Sequence, residues 1–247
     1  MTKAGEYRLI LQSLEDWDGY LLAESGLPGP RGNLELAQVV ADMGDRQLFE
    51  RYIAYTPDRA PVNSPYEFLA FCGTVGLGRL VAEGDRALLN TLRLLASDPR
   101  WRMREAVAMA LQRFGEVAMD DLIVEMQAWI QLTPWERRAG AAGLCEPRLL
   151  GQARQVRAVL RILDEITASI EQVEERRSEG FLALRKGLGY CWSVAVVALP
   201  EEGKALMEKW IGNPDKDIQW ILRENLKKNR LARMDALWVE KLQGFWK

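Results

Sequence analysis

Signals for the start of a helix recur along this sequence every 32 to 44 residues. This period restricts the fold more than any other feature. A proline or a capping Ser, Thr or Asn introduces each start, because these residues are favoured at the first positions of a helix. The starts lie near residues 33, 65, 99, 134, 178 and 214. Each interval can hold two helices, and repeated helix pairs of this length are typical of an α-solenoid. The sequence therefore predicts an all-α fold of about six helix pairs.

The clearest copy of this unit runs from Ser97 to Gly115. Pro99 is expected to begin its helix, since the fixed φ and missing N–H of proline are tolerated in a first turn. Gly115 is expected to end it. The apolar side chains between them share one face of a helix with 3.6 residues per turn. They are Met103, Val107, Ala110, Leu111 and Phe114.

Local patterns predict further elements. One helix is expected over about residues 5–23 and a long one over about 152–177. Residues 25–33 hold two prolines and three glycines, which predict a rigid loop able to act as a binding element. The glycines at 73, 76 and 78 lack the spacing of a phosphate-binding loop and follow no strand pattern. They therefore predict close packing of helices.

No stretch alternates with the period of a β-strand, so the whole chain is expected to form one helical solenoid over residues 1–247. Residues 1–63 are expected to be divergent capping helices at the N-terminal end. The clearest repeats are expected over residues 64–233, and a C-terminal capping helix over residues 234–247.

The absence of histidine excludes Ser-His-Asp and Cys-His nucleophiles and histidine zinc sites. The three cysteines, Cys72, Cys145 and Cys191, lie far apart in apolar stretches and are expected to be reduced core thiols, which favours the cytoplasm. No signal peptide is apparent, and the longest apolar run, about residues 190–199, is too short to cross a bilayer. We expect no membrane association, metal, cofactor or catalytic residue.

Charge is distributed unevenly along the chain. Residues 1–99 carry 9 basic and 14 acidic side chains, whereas residues 100–247 carry 24 and 21. This gradient permits an anionic partner on the C-terminal half.

Two groups of basic side chains are candidate sites for an anion or a nucleic acid. Arg154, Arg157 and Arg161 lie three and four residues apart, so one helix face presents three guanidinium groups to successive phosphates. The alternative is a solvated face on which Arg161 pairs with Glu165.

The second group repeats this spacing near the C-terminus and has two further members. It comprises Arg223, Lys227, Lys228, Arg230 and Arg233. The alternative here is a helix C-terminus whose cations complement the helix dipole.

Other conspicuous side chains are expected to be structural. Arginines near the repeat starts are expected to join repeats through turn carboxylates such as Asp98; they are Arg102, Arg104, Arg137 and Arg138. Four tryptophans in apolar context are expected in the core; they are Trp129, Trp192, Trp210 and Trp220. The acidic group Asp120, Asp121 and Glu125 is explained by a first helical turn rather than by a metal.

The segments DPRWRMREAVAMALQRFGE and NPDKDIQWILRENLKKNRL resemble HEAT repeats, in which an Asp-Pro start precedes an arginine and a small apolar helix. The second is similar to the C-terminal repeats of the HEAT-like alkylpurine DNA glycosylase superfamily. The resemblance covers about residues 64–233 and implies a right-handed α-α superhelix with a concave binding surface. In those glycosylases, that surface holds damaged DNA. Their tandem tryptophan and aspartate motif is absent around Trp101, Trp129, Trp135 and Trp192, so no catalytic residue carries over.

The leading hypothesis is a non-catalytic scaffold that binds a macromolecule, either protein or nucleic acid, on its concave face. The alternative is a DNA-binding or DNA-repair protein that places its basic C-terminal helices on phosphates. A small-molecule enzyme has the least support, because no group of residues assembles an active site.

Overall fold

The computed structural model describes residues 2–246, and all of the regular secondary structure within them is helical. The all-α prediction is confirmed. The chain divides into two compact units, residues 1–117 (unit 1) and residues 118–247 (unit 2). The helix that crosses this boundary has a non-helical residue, Ala118, with φ −143° and ψ 67°.

Unit 1 contains six helices and the first part of a seventh. They are α1 (Lys3–Ser13), α2 (Asp18–Glu24), α3 (Leu34–Met43), α4 (Arg46–Ile53), α5 (Pro65–Ala82), α6 (Leu88–Leu95) and α7 (Trp101–Trp129). Unit 2 contains the remainder of α7 and seven further helices. These are α8 (Pro134–Leu144), α9 (Ala153–Ser169), α10 (Glu179–Ala198), α11 (Pro200–Glu208), α12 (Lys216–Leu226), α13 (Asn229–Met234) and α14 (Ala236–Gln243). Short 3₁₀ turns lie at Pro147–Leu149, Ile170–Gln172 and Gly244–Trp246.

Helix α5 is the centre of unit 1 and packs against α2, α3, α4 and α6. It begins where the sequence predicts, with the Ser64 side chain accepting a hydrogen bond from an amide of the first turn and Pro65 at the first helical position. A Cβ added at Gly73 would lie 2.7 Å from the Cβ of Tyr52, and one at Gly78 would clash with the backbone of Ala110 in α7. The glycines of α5 therefore permit close helix packing, as predicted.

Helix α10 has the same role in unit 2, where it packs against α8, α9, α11, α12 and α13. Its cap is Ser178, again at a predicted start. Trp192 is fully buried and its Nε1 donates to Thr167 Oγ1 at 3.0 Å. By length and composition, α10 is the one described helix that could cross a bilayer. Its packing against five helices is that of a core helix.

The structure corrects four predicted boundaries. The expected helix over residues 5–23 is two helices, because Leu14 is extended. The helix that begins at Trp101 is interrupted at Ala118, three residues beyond the predicted end at Gly115. The long helix expected over 152–177 ends with α9 at Ser169. Finally, α12 is capped by Asp215, whose side chain accepts from two amides, and does not start at Pro214.

The three cysteines are free and buried, as expected for core thiols. Burial raises the pKa of the Cys72 and Cys145 thiols well above the ordinary value. Three of the four tryptophans expected in the core, Trp129, Trp192 and Trp210, are also buried.

Candidate functional site

The three arginines of the first basic group lie on α9, and two of them pair with carboxylates from neighbouring helices. Arg154 lies 2.6 Å from Asp120 of α7, and Arg157 lies 2.7 Å from Glu202 of α11. The hydrogen bond from Arg157 lowers the pKa of Glu202. Glu165, the expected partner of Arg161, instead accepts a hydrogen bond from Gln127 at 2.7 Å. Ion pairs with neighbouring helices therefore neutralise the positive charge of two of these three arginines.

The second basic group does not form one helix face, because α12 ends at Leu226 and α13 begins at Asn229. Arg223 lies over the Trp246 ring at 5.1 Å, and Lys227 pairs with Glu224 at 2.5 Å. Arg230 lies over the Tyr190 ring at 4.5 Å and donates to its hydroxyl. Arg233 is exposed on α13. The side chain of Lys228 turns to a cleft described next.

A cleft of about 440 Å³ separates α10 from α12, and we call it the α10–α12 cleft. Its α10 wall includes Leu182, Arg185, Lys186 and Tyr190. Its other wall is formed by Trp220, Glu224 and Lys228. The floor is narrow at Gly189, where an added Cβ would lie 3.2 Å from both Trp220 and Glu224.

One cation of this cleft is fixed by an ion pair. Arg185 lies over the Trp220 ring at 4.3 Å and bonds to Asp217 at 2.6 Å. Asp217 also accepts a hydrogen bond from Arg176 at 2.9 Å. Burial raises the pKa of the Asp217 carboxyl, but the two arginines outweigh it and hold the pKa below its usual value. Asp217 is therefore ionised and keeps Arg185 against the indole ring.

Two lysines of the cleft carry uncompensated charge. The ammonium groups of Lys186 and Lys228 make no hydrogen bond or ion pair within residues 2–246. Leu182 and Tyr190 beside them are 45% and 43% exposed. The cleft thus combines free ammonium groups with accessible apolar and aromatic surface, which suits an anionic ligand with planar or apolar groups.

Sequence reasoning found Lys228 and Arg230 but missed Arg185, Lys186 and Tyr190. It also placed Trp220 in the core, which is wrong, because this ring is half-exposed on the cleft wall. The available signal was spacing, since Trp220, Glu224 and Lys228 recur every four residues.

The arginines near the helix starts have partners within the chain, but the predicted turn carboxylate, that of Asp98, is bound by Arg100, which was not among them. Arg104 donates to the backbone oxygen of Asp98 at 2.6 Å, while the Asp98 carboxylate binds Arg100 at the same distance. Arg102 pairs with the buried Glu67 at 3.2 Å. Arg137 donates to the backbone oxygen of Ile130 at 2.9 Å. Arg138 is buried and has interactions of its own.

The acidic group at the start of the second part of α7 also has protein partners. Asp120 accepts from Arg154 and Gln155, which lower the pKa of its carboxyl. Glu125 accepts from Trp129 Nε1 at 2.7 Å. The described residues contain no group of three or more Cys, Asp or Glu side chains arranged to hold a metal ion. No family model, curated protein or solved structure matches the chain, so the resemblance to HEAT repeats stays a prediction.

Proposed function

We propose that this chain is a non-catalytic scaffold that binds an acidic segment of a partner protein in the α10–α12 cleft. In this proposal, the helices form a HEAT-like right-handed superhelix of about six helix pairs. Support comes from the recurrence of capped helix starts at Ser64, Thr133 and Ser178. A cytoplasmic, membrane-free location is part of the proposal and is supported by the free cysteines.

The observation that carries the proposal is the pair of uncompensated lysines beside exposed apolar surface. Lys186 and Lys228 line opposite walls of the cleft, with Leu182 and Tyr190 beside them. Carboxylates of a partner would neutralise the lysines, and its apolar side chains would cover the leucine and the tyrosine. Charge complementarity of this kind raises the association rate and selects the partner.

Single-stranded nucleic acid is the second candidate, and the aromatic rings favour it. Arginines lie over Trp220 and Tyr190, so cations that bind phosphates lie beside aromatic rings of the kind on which bases stack. Duplex DNA across α9 has less support, because Arg154 and Arg157 are already paired with carboxylates.

Fluorescence anisotropy can separate these candidates. The probes are a labelled acidic peptide rich in Glu and Phe, a labelled single-stranded oligonucleotide and the corresponding duplex. We expect the peptide to bind and the double variant Lys186→Glu/Lys228→Glu to reduce its affinity at least tenfold, about 1.4 kcal/mol. Lys3→Glu/Lys241→Glu is the control with the same change in net charge, since both lysines are exposed and lie outside the cleft.

Each result of this experiment supports or excludes one of the candidates. Oligonucleotide binding that falls steeply with salt and is lost in the double variant would favour the second candidate. Equal loss in Lys3→Glu/Lys241→Glu would show that net charge, rather than the cleft, controls binding, and would overturn the assignment. Release of methylated bases from alkylated DNA would overturn the non-catalytic proposal.

A further inference from the structure

Unit 1 contains a second cavity, of about 240 Å³, between α5, the start of α7 and the loop that precedes α3. We call it the α5–α7 pocket. Its walls are largely apolar and include Leu27, Leu34, Phe68, Phe71, Trp101 and Met109. For comparison, a dry protein cavity of about 150 Å³ accommodates benzene. The pocket therefore has room for one aromatic ring with a short chain.

The loop wall of this pocket is firmly held. Gly26 has φ +72°, which glycine adopts without strain, and Ser25 accepts a hydrogen bond from the Leu27 amide at 3.1 Å. The Gly29 amide donates to the Asn63 side chain at 3.0 Å, and the Gly29 carbonyl accepts from Arg102 at 2.7 Å. These bonds pre-form the pocket, which reduces the entropy lost when a ligand binds.

Two arginines line the pocket, and one of them has no ionic partner in the described part of the chain. Arg102 lines it while only 6% exposed, but its charge is paired with Glu67 at 3.2 Å, and its Nε–H, which has no acceptor within the described residues, is closed off from solvent. Arg31 lines the pocket from the loop, is exposed, and has no hydrogen bond or ion pair to any residue between 2 and 246. Trp101 and Arg102 are also the first two residues of α7, at the positive end of its dipole. Glu105, the acidic residue of the wall, already has an interaction in the chain.

We propose that the α5–α7 pocket binds a small apolar carboxylate, with its ring or hydrocarbon chain among the aromatic side chains and its carboxylate towards Arg31. The apolar walls favour a ligand that has a ring or a hydrocarbon chain. The free charge of Arg31 selects a carboxylate over a neutral hydroxyl group. This site is separate from the α10–α12 cleft and does not depend on the function proposed for it.

The test compares 3-phenylpropionate with 3-phenylpropanol, which has the same ring and chain without the charge. Both are titrated into the full chain by calorimetry, and the Trp101 indole N–H is followed by NMR. We expect saturable 1:1 binding of the acid, roughly tenfold tighter than that of the alcohol. Arg31→Glu should remove this preference. Arg59→Glu, at an exposed arginine of unit 1 outside the pocket, should keep it.

A second variant tests the location without disturbing the core. Leu34 is 52% exposed at the pocket, so Leu34→Trp can fold while its larger ring fills the entrance. We expect it to abolish binding of both compounds. Equal affinity for acid and alcohol would overturn the carboxylate assignment. Unchanged binding in Leu34→Trp, or no binding at millimolar concentration, would overturn the site.

Discussion

The α5–α7 pocket of unit 1 and the α10–α12 cleft of unit 2 occupy equivalent helix positions, but the walls of the first are largely apolar and half of the residues that line the second are charged. Four residues after the capping serines Ser64 and Ser178 lie Phe68 and Leu182, and each lines its cavity. The other helix at each cavity is α7 in unit 1 and α12 in unit 2. The fifth residue of α7, Glu105, lines the pocket, and the fifth residue of α12, Trp220, lines the cleft. The helix arrangement thus places the cavity, while single side chains decide whether it is apolar or basic.

The second residues of α7 and α12 each form an ion pair, and the two pairs differ in burial. Arg102 pairs with Glu67, and these side chains are 7% and 0% exposed. Asp217 pairs with Arg185 at exposures of 15% and 28%. Unit 1 therefore buries its ion pair below an apolar surface, whereas unit 2 leaves its pair near solvent. The contribution of each pair to stability should differ accordingly.

The largest expected effect is that of Arg102→Met. It leaves the carboxylate of Glu67 buried without a counter-charge, although the Asn63 amide still donates to it at 2.7 Å. We expect a loss of about 3–5 kcal/mol in the free energy of unfolding. Urea denaturation followed by far-UV circular dichroism measures it.

Two variants test this explanation. The double variant Arg102→Met/Glu67→Met should recover most of the lost stability, because no charge remains buried. Arg185→Met in unit 2 should cost much less than Arg102→Met. Equal losses at the two arginines would contradict the difference in burial on which the comparison rests.

Glycine-to-alanine substitutions should change stability in opposite directions in the two central helices. They should destabilise the protein in α5 and stabilise it in α10. Gly78→Ala brings a Cβ against the Ala110 backbone, with 2.7 Å to its carbonyl carbon, and should cost about 1–3 kcal/mol. Gly187→Ala in α10 meets only Arg138 Cγ at 3.4 Å, so the helix preference for alanine should stabilise by up to about 1 kcal/mol. Thermal unfolding of both variants gives the result. Destabilisation by both would mean that α10 is packed as tightly at this position as α5.

Capping residues made much of the fold predictable from the sequence. Ser64, Thr133 and Ser178 each have a local role that is visible in the first helical turn. The break at Ala118 was predicted only approximately, from Gly115 three residues earlier. The α10–α12 cleft was missed for another reason: Lys186 and Lys228 are far apart in sequence, and only tertiary packing brings them to one cavity.

A smaller effect is expected at Asp217, and it depends on pH. The folded-state pKa of Asp217 is lowered, so its ion pairs stabilise above the unfolded-state pKa and are lost as the pH falls through the folded-state value. Asp217→Asn should therefore cost about 1 kcal/mol at neutral pH. The wild-type and variant stabilities should converge below about pH 4. A constant difference down to pH 2 would show that the carboxylate charge is not the cause.

The smallest effect is expected at the exposed arginines of α9. Arg154→Ala and Arg157→Ala break ion pairs whose members remain solvated, so the unfolding midpoint should hardly change. Binding of the acidic peptide or the oligonucleotide should also persist, because Asp120 and Glu202 already neutralise these guanidinium groups. If Arg157→Ala weakened binding as much as the double lysine variant, the partner would displace Glu202 and extend onto α9. The binding surface would then comprise both the three arginines predicted on α9 and the α10–α12 cleft. The difference between the two cavities would no longer be enough to say where the partner binds.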